Sequence, residues 1–403
     1  MGAATLSVHQ STNYKWYVLA LGAFTFTFVM AIPSMSLPVL FDEISQELHL
    51  SLVQVGWIWG IGSLMGIVIG LVGGPISDRY GSRITLSVAC LVMGVVGAAR
   101  GLTWNFASLA TTMFFLGIFQ SLIPMNVHKT CRIWFAGPRL GMANGVVSLG
   151  MAFGFMLGSL LAATVISPLL GGWRNVLFVY GAVALLFSLL WWLTQEKVSD
   201  SGERQDTTSH NSLAASLQYV ASIRNVWLIG LATLGVGSCV TAFLGYLPLY
   251  LRNLGWETAQ ADSALASFHA ASMCAAIPVA LLSDRLGVRR GVLMAGALMV
   301  ATGVGLLTVV HGPLVWLAVI IAGVMRDGFM AITMTAAMEV KGVGARYAAS
   351  ATGFVIACSG LGGVIAPPLG NSLASISPSA PFVLWAGLAA FGFCMYLLMK
   401  RES

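Results

Sequence analysis

Long apolar runs alternate with short polar breaks along the whole chain. The runs lie near residues 15–41, 51–75, 84–101, 105–130, 141–166, 175–194, 226–250, 261–282, 291–311, 313–338, 347–371 and 381–399. A bilayer core about 30 Å thick needs roughly 20 mainly apolar residues per helix, so this pattern predicts twelve membrane-spanning helices. A β-barrel would show short segments of alternating polarity instead. Here the runs are continuously apolar and rich in Gly and Ala, which let membrane helices pack closely. Because nearly every connection is short, consecutive spans must run antiparallel.

The polar breaks are not all alike. The turn Gly74-Pro-Ile-Ser-Asp78-Arg79-Tyr-Gly81-Ser-Arg83 returns as Ala280-Leu-Leu-Ser-Asp284-Arg285-Leu-Gly287-Val-Arg289-Arg290. A charged turn repeated at the same place in each half indicates duplication, and internal repeats of this kind set a substrate path between two bundles. The only long polar stretch, Gln195 to Asn225, separates them. The expected organisation is a six-helix bundle over 1–194, a linker over 195–225 and a second six-helix bundle over 226–403. The end of the linker, Ser212 to Ile223, alternates apolar and polar positions and suits a short helix lying on the membrane surface. Gly145, Gly150, Gly154 and Gly158 in the fifth span, and Gly360, Gly362 and Gly363 in the eleventh, supply small faces for close crossings.

Composition agrees with lipid as solvent: 58% of residues are hydrophobic, 8% are charged and 46 of 403 are glycine. The net charge of +6 is a topology signal rather than a nucleic-acid footprint. With a cytoplasmic N-terminus, Lys15, Arg79, Arg83, Arg139, Lys197, Arg204, Arg224, Arg285, Arg289, Arg290, Lys341, Arg346, Lys400 and Arg401 all fall inside or at the inner boundary, whereas Arg100, Arg174 and Arg252 fall outside. Both termini are therefore expected in the cytoplasm, in a multi-pass protein of the plasma or inner membrane. The segment before Lys15 lacks a basic and apolar leader, so the first span is expected to remain. Six cysteines stand singly without a CxxC pair, which argues for packing roles and against a zinc site.

The turn at 74–86 resembles the signature between the second and third helices of the major facilitator superfamily: a glycine, an aspartate-arginine pair, a second glycine and a basic residue. Twelve spans, the central linker and Gly172-Trp173-Arg174 before the sixth span extend that resemblance over essentially the whole chain. The resemblance implies alternating access, with two bundles rocking about a site near the midplane. In that scheme Gly74, Asp78, Arg79, Gly81 and Arg83, with Asp284, Arg285, Gly287 and Arg289 in the repeat, form a gate, their charges pairing with helix ends and holding the cytoplasmic side closed. Enforcing topology is their simpler role. Two departures weigh against multidrug efflux: Met113 stands where many proton-coupled members carry an arginine, and the fifth span lacks the Gly-Pro pair of drug-proton antiporters. The chain is similar in overall character to cyanate, nitrate and organic-anion permeases of the superfamily.

Charges inside the spans carry the chemistry. Arg326-Asp327 lies about 14 residues into the tenth span, close to mid-bilayer at 1.5 Å per residue. A charge there costs roughly 3 kcal/mol, so it should meet a partner or a wet cavity. Arg326 suits an anionic substrate, and Asp327 is the acidic residue placed to carry a proton; a buried network tying helices together is the structural alternative. On the fourth span Gln120, Asn126, His128, Lys129 and Arg132 descend toward the inside. His128 and Arg132 share one face, Asn126 and Lys129 the next, and Lys129 is the deeper cation, while Arg132 can snorkel. An anion bridging Lys129 and Arg326 would relieve both charges. Tyr246 and Tyr250, one turn apart near Pro248, are candidates for the outer half of the path or for interface anchors. His269 in the eighth span titrates near neutrality and is a second candidate for proton coupling, with a satisfied structural histidine as the alternative.

The expected function is therefore secondary active transport of a small anion, an organic carboxylate or an inorganic anion of the cyanate or nitrate kind, coupled to protons or working by exchange. A monomer in the lipid bilayer without cofactor, metal or nucleic acid is expected. Export of an amphipathic or neutral compound is the rival on the same fold, and a receptor that lost transport is the rival from another class. The residues offer no nucleophile with its base, no paired carboxylates, no HExxH and no phosphate-binding glycine loop, which argues against an enzyme or a primary pump.

Overall fold

The computed structural model describes residues 14–135, 137–195, 213–286 and 289–399. Twelve helices are long and apolar enough to cross a membrane: α1 Tyr14–Glu47, α2 Leu52–Ile69, α3 Arg79–Leu102, α4 Phe106–Trp134, α5 Leu140–Leu170, α6 Trp173–Leu193, α7 Arg224–Asn253, α8 Thr258–Ser283, α9 Arg289–Leu306, α10 Leu314–Glu339, α11 Tyr347–Ser375 and α12 Ala380–Leu398. The apolar runs and the spans agree to within a few residues at most ends. α1 runs six residues past its expected end, because Asp42, Glu43 and Glu47 stay helical there. No strand occurs among the described residues.

Local chemistry sets several helix ends. Ser51 caps α2 by a reciprocal box with Gln54, and Asn105 caps α4 in the same way with Ser108. Between α2 and α3 the backbone stays helical except at Gly81, whose φ of 79° and ψ of 157° belong to a region essentially reserved for glycine. The second glycine of the repeated turn is thus the bend that reverses the chain. At Gly74, Asp78 and Asp284 only the helical backbone is described, and Gly287 lies outside the described residues. So does most of the linker, 196–212. Its end forms the expected short helix, Leu213–Ala221, docked by Tyr219, which donates to Gly342 O at 3.1 Å and stacks on Tyr347 at 4.4 Å.

Each bundle packs its helices through small residues. A Cβ on Gly150, Gly154 or Gly158 of α5 would come within 3.0 Å of the α1 backbone, whereas at Gly145 it would meet nothing within 4 Å. A crossing of the same kind joins the two bundles. A Cβ on Gly56 of α2 would lie 2.7 Å from Pro368 Cα of α11, and one on Gly60 would lie 2.7 Å from Gly363 O. This seam runs from the start of α2 to Ile67, which fills the space at Gly360. It closes the face of the molecule opposite the linker.

The ends on the linker side repeat the symmetry of the chain. Arg83 at the start of α3 donates to Trp192 O at the end of α6 and lies 5.9 Å from the Trp192 ring. Arg290 at the start of α9 donates to Tyr396 O at 2.8 Å and Leu397 O at 2.6 Å, at the end of α12. In both bundles a cation from the repeated turn satisfies orphan carbonyls and the negative end of the helix dipole.

Candidate functional site

α10 is not one continuous helix. It breaks at Met325 into Leu314–Val324 and Arg326–Glu339, without proline or glycine at the break. The interruption frees backbone groups at mid-span, where lipid cannot satisfy them. Ser272 Oγ of α8 accepts from Asp327 N at 3.2 Å and repairs one of them. The second segment therefore begins at Arg326-Asp327, with the positive end of a helix beside a guanidinium.

Arg326 Nη1 donates to Asp327 Oδ1 at 2.9 Å, so the adjacent pair does close on itself. Its side chains remain 20% and 26% exposed, so at this depth the pair is not sealed in a packed core. The Arg326 guanidinium also sits 4.7 Å above the ring of Phe155 on α5, a cation-π contact that crosses from one bundle to the other. On the other side of that contact, the His269 ring of α8 lies 5.5 Å from Phe155 and 5.4 Å from Phe268. His269 is buried, and both its ring nitrogens lack a hydrogen-bond partner among the described residues. Arg326, Asp327, Phe155 and His269 thus form one group at the meeting of α5, α8 and α10.

The residues of α4 are placed differently. Lys129 Nζ donates to Ser77 O and Ser77 Oγ, both at 3.0 Å, and Ser77 Oγ donates to Asn126 Oδ1 at 2.6 Å. Asn126 is buried and also donates to Leu122 O. These bonds fasten α4 to the repeated turn, so the described partners of Lys129 and Asn126 belong to that turn and to α4 itself and not to the Arg326 group. His128 is exposed, with Nδ1 3.0 Å from Asn144 Oδ1 of α5 and its ring 5.6 Å from Phe26 of α1. Arg132 is exposed. Higher on α4, Gln120 Nε2 donates to Ser34 Oγ of α1 at 2.5 Å.

Tyr246 and Tyr250 are buried within the second bundle, where Phe382 and Trp385 surround Tyr246 and the Tyr250 ring meets Phe382 at 4.7 Å. Tyr246 donates to Pro378 O and Tyr250 to Leu307 O, so both hydroxyls hold loop carbonyls at the face opposite the linker. Of the residues expected to form a gate, Arg79 lies 5.5 Å from the Tyr80 ring, Arg285 is exposed and Arg289 pairs with Glu339 at 2.8 Å.

Three groups escaped the reading of the chain. Phe155 gave no signal, because one phenylalanine in an apolar run is unremarkable until a guanidinium is found on it. Arg100, counted as an outer topology charge, is buried, with Nη1 3.7 Å from Met113 Sδ. A cation from α3 thus occupies the surroundings of the position where α4 lacks its arginine. Arg252 and Asp262 pair at 2.5 Å across the turn between α7 and α8. The available signal was an arginine in the last turn of one span and an aspartate in the first turns of the next.

Comparison with known proteins places this geometry in context. The model of the Major Facilitator Superfamily matches residues 19–367 and 252–403. The chain is 28% identical over 373 residues to a 3-(3-hydroxy-phenyl)propionate transporter of Escherichia coli (strain K12), covering 89% of this chain and 88% of the relative. It is 23% identical over 427 residues to a gallate transporter of Pseudomonas putida, covering 97% and 92%. Among solved structures, a bacterial homolog of the human lysosomal transporter Spinster, inward-facing and occupied, superposes with a TM-score of 0.77 at 15% identity, covering 96% of this chain and 97% of that one.

Proposed function

Because the chain belongs to the major facilitator superfamily, a family of transporters and not of enzymes, we propose that it moves a small organic anion, specifically an aromatic carboxylate, across the membrane by alternating access. The observation that carries this reading is the Arg326 guanidinium, partly exposed at mid-span and resting on the Phe155 ring of the opposite bundle. A site made of one cation and an aromatic wall suits a carboxylate borne on an apolar ring. A nitrate-like ion would need polar donors all round to replace its hydration shell. The two relatives named for aromatic acids support the same choice.

Charge balance then sets the sequence of events. Without substrate, Asp327 neutralises Arg326. An arriving carboxylate competes for the guanidinium, and Asp327, losing its partner in a low-dielectric site, takes up a proton. Substrate and proton load together, and release of one favours release of the other. His269, buried beside Phe155 with both ring nitrogens unpartnered, is the second proton-coupling candidate. Lys129 and Asn126 act at one remove: they fasten α4 to Ser77, so movement of the repeated turn is felt along the helix that carries Gln120. In the proposed orientation the linker side is cytoplasmic, and the α2–α11 seam shuts the outer side.

A thermal-shift titration of the purified protein with 3-(3-hydroxyphenyl)propionate, gallate, acetate and nitrate tests the substrate class. Ligands that bind the folded state raise its apparent stability. The aromatic acids should stabilise the protein and lose that effect in Arg326→Gln. Equal stabilisation by nitrate, or stabilisation by aromatic acids that survives Arg326→Gln, contradicts the assignment.

A further inference from the structure

Three side-chain hydrogen bonds among the described residues cross between the bundles near the face opposite the linker. Trp59 Nε1 of α2 donates to Thr241 O of α7 at 2.7 Å, and Asn371 Nδ2 of α11 donates to Leu52 O at 2.8 Å. The third is from Arg252 Nη1 of α7 to Val39 O of α1, at 2.7 Å. Only the third has a charged donor, and only its donor is held by a titratable group: Arg252 Nη2 is 2.5 Å from Asp262 Oδ1. The pair is sealed, with side chains 9% and 0% exposed. It is also incompletely satisfied, because Asp262 Oδ2 and Arg252 Nε are buried without a hydrogen-bond partner.

A buried ion pair contributes little net stability, yet losing one member's charge leaves the other uncompensated in low dielectric, which strongly destabilises that arrangement. Such a pair therefore suits a switch better than a brace. The charged groups around it come from two elements. On α7 the partner is Arg252; on α1, Asp42 and Glu43 act on Asp262 as like charges. Glu43 is already engaged, accepting from Ser167 Oγ at 2.7 Å and Trp173 N at 3.1 Å. Asp42 is half-buried, and Glu257, in the turn between α7 and α8, is exposed.

We infer that Asp262 is a proton-binding site and that Arg252, Asp262 and the Val39 carbonyl form a proton-operated latch between the bundles. With Asp262 ionised, the carboxylate holds the guanidinium against α1 and the face opposite the linker stays shut. When Asp262 takes a proton, Arg252 is left buried without its counter-charge. Its nearest relief is to swing into water, which breaks the bond to Val39 and lets that face open. The proton comes from the aqueous side on which the latch lies, outside in the proposed orientation. The latch is independent of which solute is carried and does not use Arg326 or Asp327.

The test reads conformation without substrate, so its failure is distinguishable from failure of the proposed transport. Trp104→Cys and Val309→Cys, on exposed loops of the two bundles at this face, take spin labels in the full-length chain. The exposed thiols Cys274 and Cys394 are replaced by serine. Distance distributions are recorded in nanodiscs at about pH 8 and about pH 5, a window above the ordinary aspartate range that suits a carboxylate whose charged form burial disfavours. Acid should increase the separated population by about tenfold, within the usual range of coupling between sites. Asp262→Asn should show that population already at about pH 8 and no longer respond to acid. Arg252→Gln, which removes the bond to Val39 directly, should also be separated at both values. An acid-insensitive wild type, or a pH response that survives Asp262→Asn, overturns the latch, as does acid drawing the labels closer through Arg252 turning to Asp42. If Asp262→Asn does not fold, Arg252→Gln decides alone: a compact, pH-responsive distribution there refutes the proposal.

Discussion

Arg326 carries two contacts at once, a 2.9 Å ion pair to Asp327 and a 4.7 Å stack on Phe155, and these make different predictions. Arg326→Gln removes the charge, and the initial rate of aromatic-acid uptake should fall at least about a hundredfold, the size expected when a desolvated charged hydrogen bond to substrate is lost. Arg326→Lys keeps the charge but not the planar fork, so it should raise KM by about tenfold or more while leaving measurable turnover. Asp327→Asn should separate exchange from accumulation: counterflow of labelled substrate persists, but a proton gradient no longer drives uptake. Accumulation unchanged in Asp327→Asn would remove this carboxylate from coupling. The sequence showed the Arg-Asp pair because charges at that depth are rare and costly. Phe155 stayed hidden because the contact depends on how α5 crosses α10, which no local pattern encodes. Lys129 illustrates the converse: depth along α4 marked it, but only the fold showed that its described bonds end on Ser77.

At the scale of elements, the proposed alternating access requires α2 and α11 to close tightly and to part again. At Gly56 and Gly60 the seam is backbone against backbone, so Gly60→Leu should force the helices apart and lower the uptake rate by about tenfold or more. Gly145→Leu, facing open space on α5, should transport normally. Similar losses in both would mean that bulk alone, and not the seam, limits the cycle. Gly81 is tested by stability: Gly81→Ala forces a side chain into φ of 79°, and about 1–3 kcal/mol should be lost, read as a lower Tm in detergent. An unchanged Tm would show that the bend tolerates a side chain. The spans were legible because apolar length and antiparallel connection leave little freedom. The break in α10 was not, since the flanking Gly323 and Gly328 look like the many other glycines of the spans and the bond to Ser272 reaches another helix. Asp262 was equally obscure: near the start of a span it looks like an interface residue, and only the approach of Arg252 from the neighbouring helix buries it.

For the molecule as a whole, duplication supplies the mechanics and asymmetry supplies the chemistry. Arg83 and Arg290 cap equivalent helix ends in the two bundles, whereas the Arg326-Asp327 pair has no counterpart in the first bundle's sequence. One bundle thus offers the charge and the other the aromatic ring, and in the proposed cycle a solute held between them would link their motions. The direct test is uptake of labelled 3-(3-hydroxyphenyl)propionate into proteoliposomes under an inward proton gradient, with wild type and Arg326→Gln compared side by side. The account predicts accumulation by the wild type, acidification of the lumen alongside it, and loss of both in Arg326→Gln. Accumulation that persists in Arg326→Gln, or a wild type that moves nitrate and ignores the aromatic acid, would contradict it.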